Sequence, residues 1–257
     1  MKKNIFIFFI VCCFFCVPAQ AQEWNQHKSQ HFVVYYKEAP VDFVKTVADN
    51  AEHYYQEIYS NLGFTRNRYW TADDRTQIYI YDDADDFVTE AREAHWSSGS
   101  ALVRSKIIRT FPSAHGFFDS TLPHELGHII FRELIGLDTQ VPLWFEEGVA
   151  MYQEKAKRWG ANQAVQQAME QGEFIPLKEL ASFRPNQGTE RKKVELFYAE
   201  SASIVYYLIR EQGSSRFLRL CRKLKDGVLF EEALKSVYIR FKNIDELDAA
   251  WEAYLKK

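Results

Sequence analysis

Two histidines four residues apart bracket a glutamate in the segment His124-Glu125-Leu126-Gly127-His128. No other feature constrains the fold as strongly. On a helix this spacing sets both imidazoles on one face, a turn apart. Two ring nitrogens can then reach one zinc ion at about 2.0–2.1 Å. Glu125 lies about 100° further round the helix. It stands beside the ion without being a ligand, where a general base can take a proton from an activated water. The neighbouring residues suit a helix. Asp119, Ser120 or Thr121 can cap its start, and Pro123 is tolerated in a first turn. Leu122, Leu126, Ile129, Ile130 and Leu134 supply buried faces. The plain alternative is a pair of helix histidines satisfied by hydrogen bonds in a core.

The third ligand separates these readings. No histidine follows His128. Where a third histidine and an intervening glycine are one known solution, the chain has Leu134 and Phe131. A downstream ligand is therefore a carboxylate. Glu147, in Trp144-Phe145-Glu146-Glu147-Gly148-Val149-Ala150, follows His128 with 18 residues between. That gap holds the rest of the first helix, a turn over residues 136–142 and the start of a returning helix. Two histidines and a glutamate with an open fourth position make the catalytic kind of zinc site, one ion per chain. Glu146 reads either as a carboxylate that orients a ligand or as an exposed helix acid. His115, nine residues before His124, reads as a solvated loop histidine.

The rest of the chain has few other means of bracing such a site. Residues 1–21 read as a signal peptide: Lys2 and Lys3, an apolar run over 5–17, then Ala19 and Ala21 in a small-x-small pattern. The run is short of the roughly 20 residues that span a bilayer, so no stable membrane insertion is expected after cleavage. Cys16 raises the alternative of a lipoprotein, but Phe14 and Phe15 stand where small residues are wanted. Export to a periplasm or to the medium is the expectation. Cys12, Cys13 and Cys16 leave with this segment, and Cys221 alone cannot form an internal disulfide. Removing Lys2 and Lys3 from the 32 basic residues leaves 30 against 35 acidic ones, a net charge of −5. That balance argues against a nucleic-acid partner. With 47% hydrophobic residues the chain can build one sizeable core, or two small lobes around a cleft.

Periodicity divides the chain near residue 120. Before it, residues 31–36 and 77–81 read as strands and 41–62 and 83–94 as helices. Residues 99–111 read as an extended segment. Its stretch 100–110 can be an edge strand above the cleft that accepts an extended peptide, or an edge protected by Arg104, Lys106 and Arg109. After residue 120, helices are predicted over 120–134, 143–155, 161–170, 190–210, 214–225, 230–237 and 244–255. Gly136, Gly160, Gly172, Gly213 and Gly227 stand between them as stops. The expected class is α+β: an N-terminal lobe of mixed strands and helices (about 22–119), an all-helical C-terminal lobe (about 120–257) and a zinc site between them. Glu190-Arg191-Lys192-Lys193 reads as a solvated helix start.

His-Glu-x-x-His, 18 residues, then Glu-Gly within Trp144-Phe145-Glu146-Glu147-Gly148-Val149-Ala150 resembles the gluzincin metallopeptidases. The pattern is closest to peptidase MA-like domains, related to the aminopeptidase-N family and more distantly to thermolysin. Phe197-Tyr198, with Tyr207-Leu208 nine residues on, resembles the segment that carries that family's transition-state tyrosine. The segment Asp245-Glu246-Leu247-Asp248-Ala249-Ala250-Trp251 also looks like the last helix of such domains. The resemblance implies a peptidase MA-like catalytic domain over 22–257 that hydrolyses peptide or protein substrates. His124, His128 and Glu147 would hold zinc, Glu125 would be the base, and Tyr198 would bond the oxyanion. The other reading of Tyr198 is a core aromatic. There is no Gly-x-Met-Glu-Asn segment for gripping a substrate amino group, so aminopeptidase activity is not implied. The carboxylate that thermolysin-like enzymes carry four residues after the ligand is replaced by Met151. A domain that binds zinc but turns over weakly, and serves in interaction, is the alternative function.

Overall fold

The structure is a computed structural model that describes residues 23–64, 70, 74–91, 99–186 and 188–257. The expected signal peptide lies outside the described residues. Strands β1 (Asn25–Lys28), β2 (Phe32–Tyr36), β3 (Thr76–Ile80), β4 (Ser100–Leu102) and β5 (Ile107–Thr110) form one sheet in the order β1-β2-β3-β5-β4. The inner strands β2, β3 and β5 are parallel, with Val34 beside Ile78 and Ile78 beside Ile108. β1 and β4 flank them antiparallel. Parallel neighbours need a crossover, and helix α1 (Val41–Asn61) provides it between β2 and β3. Its Val44, Val47, Ala48, Ala51, Tyr55 and Ile58 recur at helical spacing and are buried. They join Phe32, Val34 and Ile78 of the sheet in one core. Helix α2 (Ala84–Ala91) follows β3; the last part of the expected helix over 83–94 lies outside the described residues.

Two features of the sheet differ from expectation. β1, Asn-Gln-His-Lys, has no apolar alternation, and its place is set by pairing with β2 rather than by its own pattern. Residues 100–110 are not one edge strand. A 3-10 turn over Val103–Ser105 and a left-handed Lys106 (φ 52) fold them into the antiparallel pair β4–β5. β5 therefore lies inside the sheet, and of this segment β4 alone is at an edge. Lys106 is held in the turn by an ion pair with Glu133 and by its ammonium over the Trp70 ring.

The remainder is helical: α3 (Leu122–Ile135), α4 (Leu143–Met151), α5 (Lys155–Glu170), α6 (Leu177–Ser182), α7 (Arg191–Tyr206), α8 (Ser214–Lys225), α9 (Phe230–Val237) and α10 (Ile244–Leu255). A π-helical turn, Phe117–Thr121, leads into α3, and another, Tyr207–Glu211, continues α7. Gly136, Gly172, Gly213 and Gly227 take positive φ between helices, as stops do. Gly160 does not stop a helix; it lies within α5. The break comes earlier than predicted, at residues 152–154. Arg158 supplies the reason. Its guanidinium donates to the carbonyls of Tyr152 (2.6 Å) and Gln153 (3.4 Å), groups that a continuing helix would have used. The short α6 had no sequence signal.

The strands belong to the N-terminal part and the C-terminal part is helical, a mixed α/β arrangement. The main apolar core runs from Val34 and Ile108 in the sheet through Ile130 on α3 to Phe145, Leu208 and Trp251. Among the described residues no helix is long and apolar enough to cross a membrane.

Candidate metal centre

Three helices supply the residues singled out above, and two glycines let those helices approach. A Cβ on Gly127 of α3 would lie 3.0 Å from Ala150 Cα of α4. A Cβ on Gly148 of α4 would lie 2.2 Å from the carbonyl oxygen of Ser201 on α7. Neither glycine has a left-handed φ; each is there because backbone and side chain meet backbone. His124 and His128 flank Gly127, Glu147 adjoins Gly148, and Tyr198 lies one turn before Ser201. Close packing therefore draws all four together.

His124 Nε2 and His128 Nε2 are 3.1 Å apart. Glu147 Oε2 is 3.7 Å from the first and 3.6 Å from the second. Four tetrahedral ligands at zinc distances are separated by about 3.3 Å, so this triangle fits three corners of such a site. The donor chemistry agrees. His124 Nδ1 faces Glu154 Oε1 at 3.0 Å, which puts the ring proton on Nδ1 and turns the Nε2 lone pair inward. One ligand atom from each of His124, His128 and Glu147 then lies within 4.8 Å of the others. The set His124, His128 and Glu147 can hold a metal ion.

Glu154 is a neighbour of the candidate site that the sequence did not reveal. It stands in the break between α4 and α5, is 4% exposed, and accepts hydrogen bonds from His124 and the Ser120 hydroxyl. Ser120 is thus spent on Glu154 rather than on capping α3, and Thr121 at the cap position makes no side-chain cap. The only sequence signal would have been its place seven residues, or two turns, after Glu147. Met151, at the position where thermolysin-like enzymes have a carboxylate, is instead a buried apolar residue. Glu146 lies toward the other histidine, with Oε1 3.9 Å from His128 Nδ1, too far for a hydrogen bond. Its carboxylate is gripped by the Arg132 guanidinium, with Nε to Oε1 at 2.6 Å. Arg132 also donates to the Thr139 carbonyl, 2.7 Å away, and pins the turn between α3 and α4.

The charged groups act on one another. Burial pushes the Glu125 carboxyl above its usual range, partly offset by His124 and His128. Burial would raise Glu147 as well, but the hydrogen bond and charge of His128 and the charge of His124 hold it low. Burial works against protonation of His124, yet Glu154, Glu125 and Glu147 together raise it. The Tyr198 phenol is raised by burial and then by the charges of Glu147 and Glu125. Tyr198, His124 and Glu125 line one cavity of about 810 Å3. Its walls are α5 and α7, and Gly99, next to β4, touches it from the sheet side. His115 is exposed and does not line it.

A family model described as the peptidase MA superfamily matches residues 70–257, well over half of the chain. No curated protein matches it.

Proposed function

Because the chain belongs to the peptidase MA superfamily, we propose that it is an exported, zinc-dependent peptidase with residues 22–257 as its catalytic domain. The observation that carries this reading is the triangle of His124, His128 and Glu147 beside a cleft lined by Glu125 and Tyr198. His124 Nε2, His128 Nε2 and the Glu147 carboxylate would hold one zinc ion, with Glu154 keeping the His124 ring in its ligating orientation. A zinc ion bound there would supply Lewis acidity, lowering the pKa of a water to about 7 and polarising a carbonyl. Glu125 takes a proton from the attacking water onto its carboxylate and delivers it to the leaving amine nitrogen. The Tyr198 hydroxyl donates a hydrogen bond to the substrate carbonyl oxygen as it gains negative charge. The substrate is a polypeptide.

The test is Glu125→Gln. The variant should keep one zinc per chain by elemental analysis while kcat/KM on a peptide library falls by about 10²–10⁴-fold. Hydrolysis at the wild-type rate would refute the role of Glu125. Zinc binding with no cleavage of any peptide by the wild type would instead favour an interaction domain. Export is tested by the N-terminus of the mature protein, expected at Gln22.

A further inference from the structure

Gly160 sits inside α5, where glycine weakens a helix relative to alanine. Other glycines in this chain have a local reason: a left-handed φ, or an atom that a Cβ would crowd. Gly160 has neither, since a Cβ built on it meets nothing within 4 Å. What it does face is the cavity that also holds His124, Glu125 and Tyr198. Gly160 is exposed and borders that cleft, so the absent side chain keeps the wall there open.

The surrounding wall has the same character. Ala161 and Ala164 face the cavity from α5, and Ala199 and Ala202 from α7. Met151, Ala161 and Ala202 form a small buried apolar cluster separate from the main core, with Tyr198 packed against it. This cluster is the floor. Lys157 and Glu195, both exposed, supply charge at the rim. A volume of about 810 Å3 is in the range of ligand pockets and exceeds one side chain. The stretch of wall formed by the four alanines offers an ionised group no partner; the charges of the cavity lie at the rim, on Lys157 and Glu195, and on the side of His124, Glu125 and Glu154. A small side chain would leave the space unfilled.

We propose that this cavity is a specificity pocket for a large apolar side chain of the polypeptide substrate, aromatic by preference, next to the scissile bond. Gly160 and Ala164 set its width. The inference rests on the peptidase reading, so the experiment separates the two. Fluorescent peptides that differ only in the residues flanking one central bond (phenylalanine, leucine, alanine, lysine or glutamate) are bound to zinc-loaded Glu125→Gln protein. The same peptides are offered to the wild type for cleavage. Gly160→Leu and Ala164→Leu are then added to both proteins. Both positions are exposed, and a melting temperature no lower than the wild type's, with unchanged zinc content, verifies that fold and metal site survive.

The wild-type pocket should bind the phenylalanine peptide most tightly. Each leucine variant should weaken that binding, and kcat/KM with it, tenfold or more, while the alanine peptide changes less than threefold. Binding without a size preference overturns the pocket, and so does an equal loss on every peptide. If the wild type cleaves nothing but the binding preference and its loss are observed, the peptidase reading falls and the pocket stands.

Discussion

His124 is held from both ends: Nδ1 faces Glu154, and Nε2 faces His128 and Glu147. A ligand fixed in this way loses little freedom on binding metal. Glu154→Gln removes the charge behind the ring but not the bulk. Zinc affinity should fall about 10–100-fold, measured by competition with a chelator, with the fold retained. An unchanged affinity would reduce Glu154 to a packing residue. A second buried acid behaves differently. Glu200 on α7 is fully buried; one oxygen accepts from the Ile175 amide at 2.8 Å, and the other has no hydrogen-bond partner. Burial raises its pKa to about 8; the Ile175 bond opposes the rise, and Asp248 and Glu179 add to it. The folded state thus binds this proton more tightly than the unfolded chain does. Its contribution to stability is fully present below about pH 4.5 and is lost as pH rises to about 8, up to about 5 kcal/mol in all. Glu200→Gln should therefore be near neutral in acid and stabilising at pH 8. Denaturant melts of both proteins across that window check it, and parallel pH profiles would show that Glu200 does not titrate as described.

On the scale of helices, two glycines make opposite predictions. At Gly148, where α4 crosses α7, an added Cβ would sit 2.2 Å from the Ser201 carbonyl oxygen, and backbone cannot swing aside as a side chain can. Gly148→Ala should destabilise by about 1–3 kcal/mol or more. It should also weaken zinc binding, because Glu147 moves with the displaced helix. At Gly160 the Cβ finds open space on a helix interior. Gly160→Ala should stabilise by about 0.5–1 kcal/mol. Thermal melts of the two variants beside the wild type decide both. Most helices were legible because their apolar residues recur every three to four positions, as Val44, Val47, Ala48 and Ala51 do in α1. The misplaced break between α4 and α5 was not legible. Gly160 looked like a stop, whereas the helix is ended by Arg158 reaching back to the carbonyls of Tyr152 and Gln153.

For the molecule as a whole, the candidate metal site lies where α3, α4 and α7 meet, and the core behind it is continuous with the sheet. Metal binding should therefore stabilise the whole fold. Zinc at a hundredfold excess over its Kd should add about 2.7 kcal/mol, and a chelator should lower the melting temperature accordingly. Equal melting with and without zinc would count against the site. The residues that converge were readable in advance because their relation is local. Four residues make one helical turn between His124 and His128, and 18 residues allow a helix to return with Glu147. The separation of strands from helices was readable for a similar reason, since each element's period is written in its own residues. Contacts between elements have no such period. Glu154 behind His124, the Arg132 clamp on Glu146, the small-walled cavity beside Tyr198 and the pairing of polar β1 with β2 each join side chains or strands from separate segments. Hydrophobic spacing states that a face is buried but not what it is buried against. Tertiary packing alone decided that.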